Sequence, residues 1–244
     1  MSLQDFQTAL GRLVRAPDGR DPLRSLCLDA RELSCIERLP QSAGLRFTVD
    51  VQRSWCIGRT MNAGTLTLSI LTDDVRRPLL DAWTGSGGGT SSFFASEADA
   101  LFDFIAARLR DPSHELAVCR FEHATLRANE GAAFFVPPVL ASLDLRGCVL
   151  RRGLNGRMVF FSGHPGSILD ALLTRKPLPP LSSEMTAVVL GPGLDRLWRL
   201  ASLHEVQLWE RLAEPVLFTS LTQEGFQRDA IESMLRAGVL DYVE

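Results

Sequence analysis

Cys119 and His123 stand four residues apart in Cys119-Arg120-Phe121-Glu122-His123. That spacing puts a thiol and an imidazole on one helix face, where both could reach one metal ion. His114 falls on another face, and no His-Glu-x-x-His or paired-cysteine spacing supplies further ligands. A buried thiol beside a hydrogen-bonded histidine is the better reading. Gly87-Gly88-Gly89-Thr90 suggests a phosphate loop, but the lysine that would meet the phosphate is missing, so the run reads as a connector. No Gly-x-Ser-x-Gly elbow is present, and His164 and His204 stand alone. Carboxylates mostly sit beside arginines, as in Glu37-Arg38 and Glu210-Arg211, which describes solvated helix faces. The residues predict no catalytic site and no metal site in this chain.

The elements that would position such groups are mixed. Leu3, Phe6, Leu10, Leu13 and Val14 recur at helical spacing, predicting an amphipathic helix over 3–15. A second helix is expected over 23–38, with a break at 39–44. Val49 to Thr60 suits a helix, whereas Thr65 to Ile70 alternates polar and apolar like a strand. Ser96-Glu97-Ala98-Asp99 resembles a capping box ahead of Leu101, Phe102, Ile105 and Leu109. Asp111-Pro112-Ser113 starts a further helix, with Asp111 as cap and Pro112 in the first turn, ending near Asn129 with Gly131 as terminator. The Pro137-Pro138 pair resists helix and central strand, and it sets a domain boundary between residues 1–135 and 139–244.

Downstream, apolar runs at 143–151 and 157–162 read as a hairpin, followed by a third run at 185–190. A closing helix is expected over about 224–237, before Ala237-Gly238-Val239-Leu240. Strands first and then a helical group is the order of a winged-helix module. The fold class is therefore α+β: a helical N-terminal domain, then a small antiparallel sheet with helices, winged-helix-like and of the leader-peptide-recognition type.

The 244 residues, 45% hydrophobic and 23% charged, suffice for one large or two modest cores. A net charge of −3 gives no global basic field for nucleic acid. The closing helix offers Gln227, Arg228 and Arg236, but Glu224, Asp229 and Glu232 neutralise it. A DNA-binding regulator is thus the alternative reading. Five scattered cysteines suit reduced thiols, no signal pattern opens the chain, and no run approaches the roughly 20 apolar residues that span a bilayer. A soluble cytoplasmic protein without membrane contact is expected. Lys176 is the single lysine; every other cation is arginine, whose planar fork suits contacts to carboxylates.

Four phrases carry a resemblance: Arg53-Ser54-Trp55-Cys56-Ile57-Gly58-Arg59, Gly88-Gly89-Thr90-Ser91-Ser92-Phe93-Phe94, Asp111-Pro112-Ser113-His114-Glu115-Leu116, and Cys119 to Ala128. Together they resemble the MbnC family, partner proteins of methanobactin biosynthesis. The opening Leu3-Gln4-Asp5-Phe6-Gln7 is similar to that of a broader group encoded beside iron-dependent peptide oxidases. The resemblance covers most of residues 1–130.

It implies a heterodimer with MbnB, a TIM-barrel oxidase that carries the iron. With oxygen that complex converts cysteines of a precursor peptide, MbnA, into paired oxazolone and thioamide groups in copper-chelator biosynthesis. This chain would hold no cofactor; it would bind the leader peptide and stabilise the oxidase. Leader binding is expected as an added strand, whose backbone pairs with an exposed edge while alternate side chains enter apolar pockets. The 143–162 hairpin is the expected platform, with Val149, Arg151, Val159 and Phe161 as contacts and Phe226 and Ile231 as the facing wall. The competing expectation is that these apolar residues fill the core. Arg53, Trp55, Arg120, Glu122 and Arg127 are the candidates for the oxidase contact, because aromatic and arginine side chains anchor interfaces.

Overall fold

The computed structural model describes residues 3–15, 28–86, 88, 94–140 and 144–243, with backbone alone for Leu3, Arg12, Arg15 and Phe94 to Ser96. The chain is mixed: helices plus small antiparallel sheets, an α+β protein. It divides into two compact units, Met1–Arg108 and Leu109–Glu244, so the division falls upstream of the diproline. The helix expected to close the first domain belongs with the strands that follow it, because it packs on one of their sheets.

The first unit is helical among its described residues. Helix α1 (Leu3–Arg15) packs with α2 (Ala30–Arg38) and α3 (Ala43–Ala63) around Ala9, Leu13, Ile36 and Leu45. Asp29 starts α2 by accepting from the Arg31 and Glu32 amides, while Glu32 reaches back to the Asp29 amide. The expected residues 23–27 of that helix lie outside the described ones. Thr65–Ile70 is a short helix, α4, not a strand; it buries Thr67, Leu68 and Ile70 after the Gly64 break. Packing of that face overrides the alternating pattern. Helices α5 (Asp73–Gly85) and α6 (Phe94–Ala106) complete the unit, with Trp83 edge-on to Phe104 at 5.2 Å. Because α6 begins at Phe94, Ser96 lies inside the helix, and Glu97 instead receives Arg59 at 3.0 Å.

The second unit opens with α7 (His114–Ala132). Its cap is Ser113, whose hydroxyl accepts from the Leu116 amide, so Asp111 and Pro112 precede the helix. Gly131 does not end α7: it lies within the last turn, where a Cβ would strike the Asn155 side chain.

Two three-stranded antiparallel sheets follow, ordered β5-β1-β6 and β2-β3-β4. Their strands are β1 (Val149–Arg152), β2 (Arg157–Ser162), β3 (Met185–Leu190), β4 (Trp198–Leu200), β5 (Val216–Leu217) and β6 (Leu240–Val243). The expected hairpin does not form, because β1 and β2 belong to different sheets. The connection between them turns aside at Gly153 and Gly156. Both press on the Gly238–Val239 backbone, where a Cβ would come within 2.7 Å of it or closer. The Gly153 amide donates to the Val239 carbonyl at 2.8 Å, continuing the pairing of β1 with β6.

Register assigns the faces. Val159 pairs with Val188 and Arg157 with Leu190, so Val159, Phe161, Val188 and Leu190 share one side of the second sheet. Helix α7 covers that side: Phe121 sits edge-on to Phe161 at 5.8 Å and to Trp198 at 5.6 Å. Met158, Ala187 and Val189 point the other way, into a core shared with Leu150, Leu208, Leu221, Ile231, Met234 and Val239. Helices α8 (Pro165–Leu173), α9 (Leu203–Arg211), α10 (Phe218–Gln223) and α11 (Arg228–Arg236) complete the unit. The closing helix expected over 224–237 starts later, as α11 at Arg228, because a turn at Gly225, where φ is +94°, separates it from α10.

Candidate functional site

Strand β6 lies at the edge of its sheet. Among the described residues it has β1 on one side and no strand on the other. Antiparallel pairing bonds alternate residues to the neighbour. Since Val239 accepts from Gly153, the same parity turns Asp241 and Val243 toward β1. Leu240 and Tyr242 consequently aim their amides and carbonyls outward. The Tyr242 amide donates to Asp241 Oδ1 at 2.9 Å, which covers one outward group. Asp241 is held in turn by Arg151, its cross-strand partner, at 2.8 Å.

Beside this edge runs an open groove of about 740 Å³. Phe135, Val136, Pro137, Pro138 and Val139 form one wall; Leu235 and residues 240–243 form the other. Phe134, Val136 and Val139 are 88%, 82% and 73% exposed. Proline withholds an amide and fixes φ, which disfavours a strand here, and Phe134, Val136 and Val139 stand in solvent while the Phe135 ring rests beside Gly193 and Gly238. A strip of apolar surface beside unpaired backbone groups is the combination that an extended peptide can satisfy. A second pocket, in the first unit and lined by Cys56, Arg59, Thr60, Trp83 and Glu97, has about 10 Å³ of space. That is room for about one water.

The expected peptide contacts are dispersed. Val149 and Arg151 lie on β1, the central strand of its sheet; Val149 has β5 on one side and β6 on the other, and Arg151 pairs with Asp241 of β6. Arg151 is exposed and engaged with Asp241. Val159 and Phe161 are buried against α7, and Ile231 is fully buried in the core. Phe226 lies in the turn before α11, half-buried against the same core. Val159, Phe161 and Ile231 thus pack the interior, whereas Val149 and Arg151 meet the groove strand through Val243 and Asp241.

The expected oxidase contacts split between the units. Arg53 and Trp55 are exposed on α3, with Arg53 paired to Asp81. Arg120, Glu122 and Arg127 lie on α7, with Arg120 reaching Asp111 at 3.3 Å. Cys119 is fully buried and His123 half-buried on α7. Among the described residues, no three His, Cys, Asp or Glu side chains gather as a metal site requires. Among the described residues Cys35, Cys56, Cys119 and Cys148 form no disulfide, and Cys27 lies outside the described residues. No described helix is long and apolar enough to cross a membrane.

Electrostatics on α11 centre on Glu232. Glu232 receives Arg228 at 2.6 Å and Arg236 at 2.7 Å, and the Arg228 hydrogen bond holds its carboxyl below the ordinary range. A scan against protein-family models found no match, and a search of the curated proteins found none either.

The β6 edge was missed in the sequence. Its signals were the alternation of Leu240-Asp241-Tyr242-Val243 and the apolar Phe134 to Val139 segment, whose prolines keep it out of any sheet.

Proposed function

We propose that this chain is the non-catalytic subunit of an MbnBC-like heterodimer, and that its second unit holds a precursor leader peptide as a strand added to β6. The free β6 edge beside the Phe135–Val139 wall carries this reading. The order α9, β5, α10, α11, β6, with β1 between β5 and β6, supports a winged-helix-like module. Leu240 and Tyr242 supply the outward backbone groups, and alternate leader side chains enter the groove.

The division of labour follows from the chemistry. A TIM-barrel oxidase subunit supplies iron and oxygen chemistry to the cysteines, and this chain fixes where the peptide runs. Arg120 and Arg127, which share one face of α7, are the proposed contact with the oxidase, with Glu122 further round the same helix. The reading carries a cytoplasmic location. The DNA-binding alternative gains little support from α11, whose Arg228 and Arg236 are both engaged by Glu232.

Co-expression tests the proposal. Tagged chain made with the oxidase encoded beside its gene is expected to elute with it at one-to-one mass and to bind labelled leader peptide. Elution of the chain alone, with salt-dependent retention of duplex DNA, would establish the regulator instead.

A further inference from the structure

Helix α3 buries one side and leaves the opposite one bare. Leu45, Cys56 and Thr60 point inward, while Gly44, Phe47, Val51, Trp55 and Gly58 are exposed. At 100° per residue those five positions fall within a narrow arc. Phe47 is 71% exposed, Val51 40% and Trp55 67%. Nothing lies within 4 Å of a Cβ built on Gly44 or Gly58. No member of the arc carries a charge.

The arc reads the same in both directions. Phe47 and Trp55 flank Val51 at equal distance, and Gly44 and Gly58 flank it again further out. A surface that pairs with its own copy across a two-fold axis must be self-complementary. Antiparallel α3 helices crossing at Val51 meet this condition: aromatic lies against aromatic, Val51 meets its symmetry mate, and each glycine faces a glycine. The glycines let the backbones approach where the aromatic rings need room.

We propose that α3 is a self-association helix, pairing with a second copy of this chain about a two-fold axis at Val51. Its residues lie wholly in the first unit, whereas the peptide groove is lined by residues of the second. Arg53, which extends toward Asp81, stays outside the seam. Trp55, expected at a contact with a dissimilar subunit, lies in it. An aromatic side chain has about 150–250 Å² to bury, so Phe47 and Trp55 alone contribute roughly 250 Å² per copy. A stable interface needs about 800 Å² per partner. Two side chains thus provide close to a third, and the rest of this 21-residue helix face is available for the remainder.

The test is a charge exchange at the axis on the full chain, read by sedimentation and native mass spectrometry. Wild type is expected as a dimer at micromolar concentration. Val51→Asp and Val51→Lys each place like charges face to face and are expected to be monomeric. Mixing the two sets opposite charges against each other and is expected to restore a one-to-one mixed dimer. Should a charged variant lose its helical circular dichroism, Phe47→Ala reads the same contact, with self-association weakened about tenfold or more. The proposal is overturned if wild type is monomeric throughout, if the single variants remain dimeric, or if the mixture stays monomeric. It is equally overturned if wild type alone is monomeric and Val51→Asp abolishes capture of the oxidase subunit, which would assign this face to the dissimilar partner.

Discussion

Val136→Asp is the sharpest probe of the peptide groove. The side chain is 82% exposed, so the free protein loses no packing, and stability should stay within about 0.5 kcal/mol. A bound leader would cover Val136. Full burial of such a side chain is worth about 1.5–3 kcal/mol, so covering the exposed four-fifths is worth roughly 1.2–2.5 kcal/mol. That corresponds to about a seven- to sixty-fold loss of affinity, since 1.4 kcal/mol is tenfold. Stripping water from the new carboxylate adds to the loss. Fluorescence anisotropy with a labelled synthetic leader measures it, beside a urea melt of the same sample. The peptide offers a second reading. Leu240 and Tyr242 face outward, so leaders N-methylated at alternate amides should divide by parity. One set loses about 1 kcal/mol per blocked hydrogen bond and the other binds normally. Val136→Asp binding within twofold of wild type, with both methylated sets equal, would refute strand addition at β6.

The buried candidates should behave in the opposite way. Phe161→Ala removes a ring that is 0% exposed and lies against Phe121, so a urea melt should show a loss of about 3–5 kcal/mol. Arg151→Ala breaks a half-exposed pair with Asp241 and should cost no more than about 1 kcal/mol by the same measurement. For Glu205, burial pushes the carboxyl up, but hydrogen bonds from Arg199 and Ser202 outweigh it and hold it below the ordinary range. A lowered folded value means this stabilisation is complete above the unfolded carboxylate value, near pH 4.3, and is lost as pH falls through the folded one. Acid melts of Glu205→Gln should therefore converge with wild type, whereas at neutral pH the variant should be about 1–3 kcal/mol less stable. The lone folded chain should carry no stoichiometric iron by elemental analysis, while its complex with the oxidase should; about one iron or more in the lone chain would overturn the non-catalytic assignment.

Local elements were legible where periodicity and burial agree. The amphipathic 3–15 helix forms with Leu13 at its core, and Met185 to Leu190 is a strand. Pairing was not legible, because it is decided far along the chain: Arg151 meets Asp241 across 90 residues. Two apolar runs separated by a glycine-bearing turn suit a hairpin locally. Nothing within 149–162 reveals that Gly153 and Gly156 must yield space to Gly238 and Val239. Gly238 itself holds φ at +66°, a turn that brings β6 back to β1. The free edge is hidden from the sequence for the same reason, since an edge is defined by what fails to pair.

This explains why Val159 and Phe161 on the strands are core while the groove is walled by the segment that carries the diproline. Strand residues such as Val159 and Phe161 alternate or run apolar because sheets and α7 bury them. A peptide groove needs the reverse, apolar side chains that the fold leaves uncovered. The diproline supplies that condition: Pro137 and Pro138 deny Val136 and Val139 a place in a sheet while holding them beside β6. Stability therefore selects against the residues that make the best binding surface, and the most informative sequence signal is an apolar run that secondary structure cannot absorb. Helix α3 obeys the same logic. Its buried side is what a helical unit requires, and Phe47 and Trp55 on the bare side answer to no need of the isolated fold.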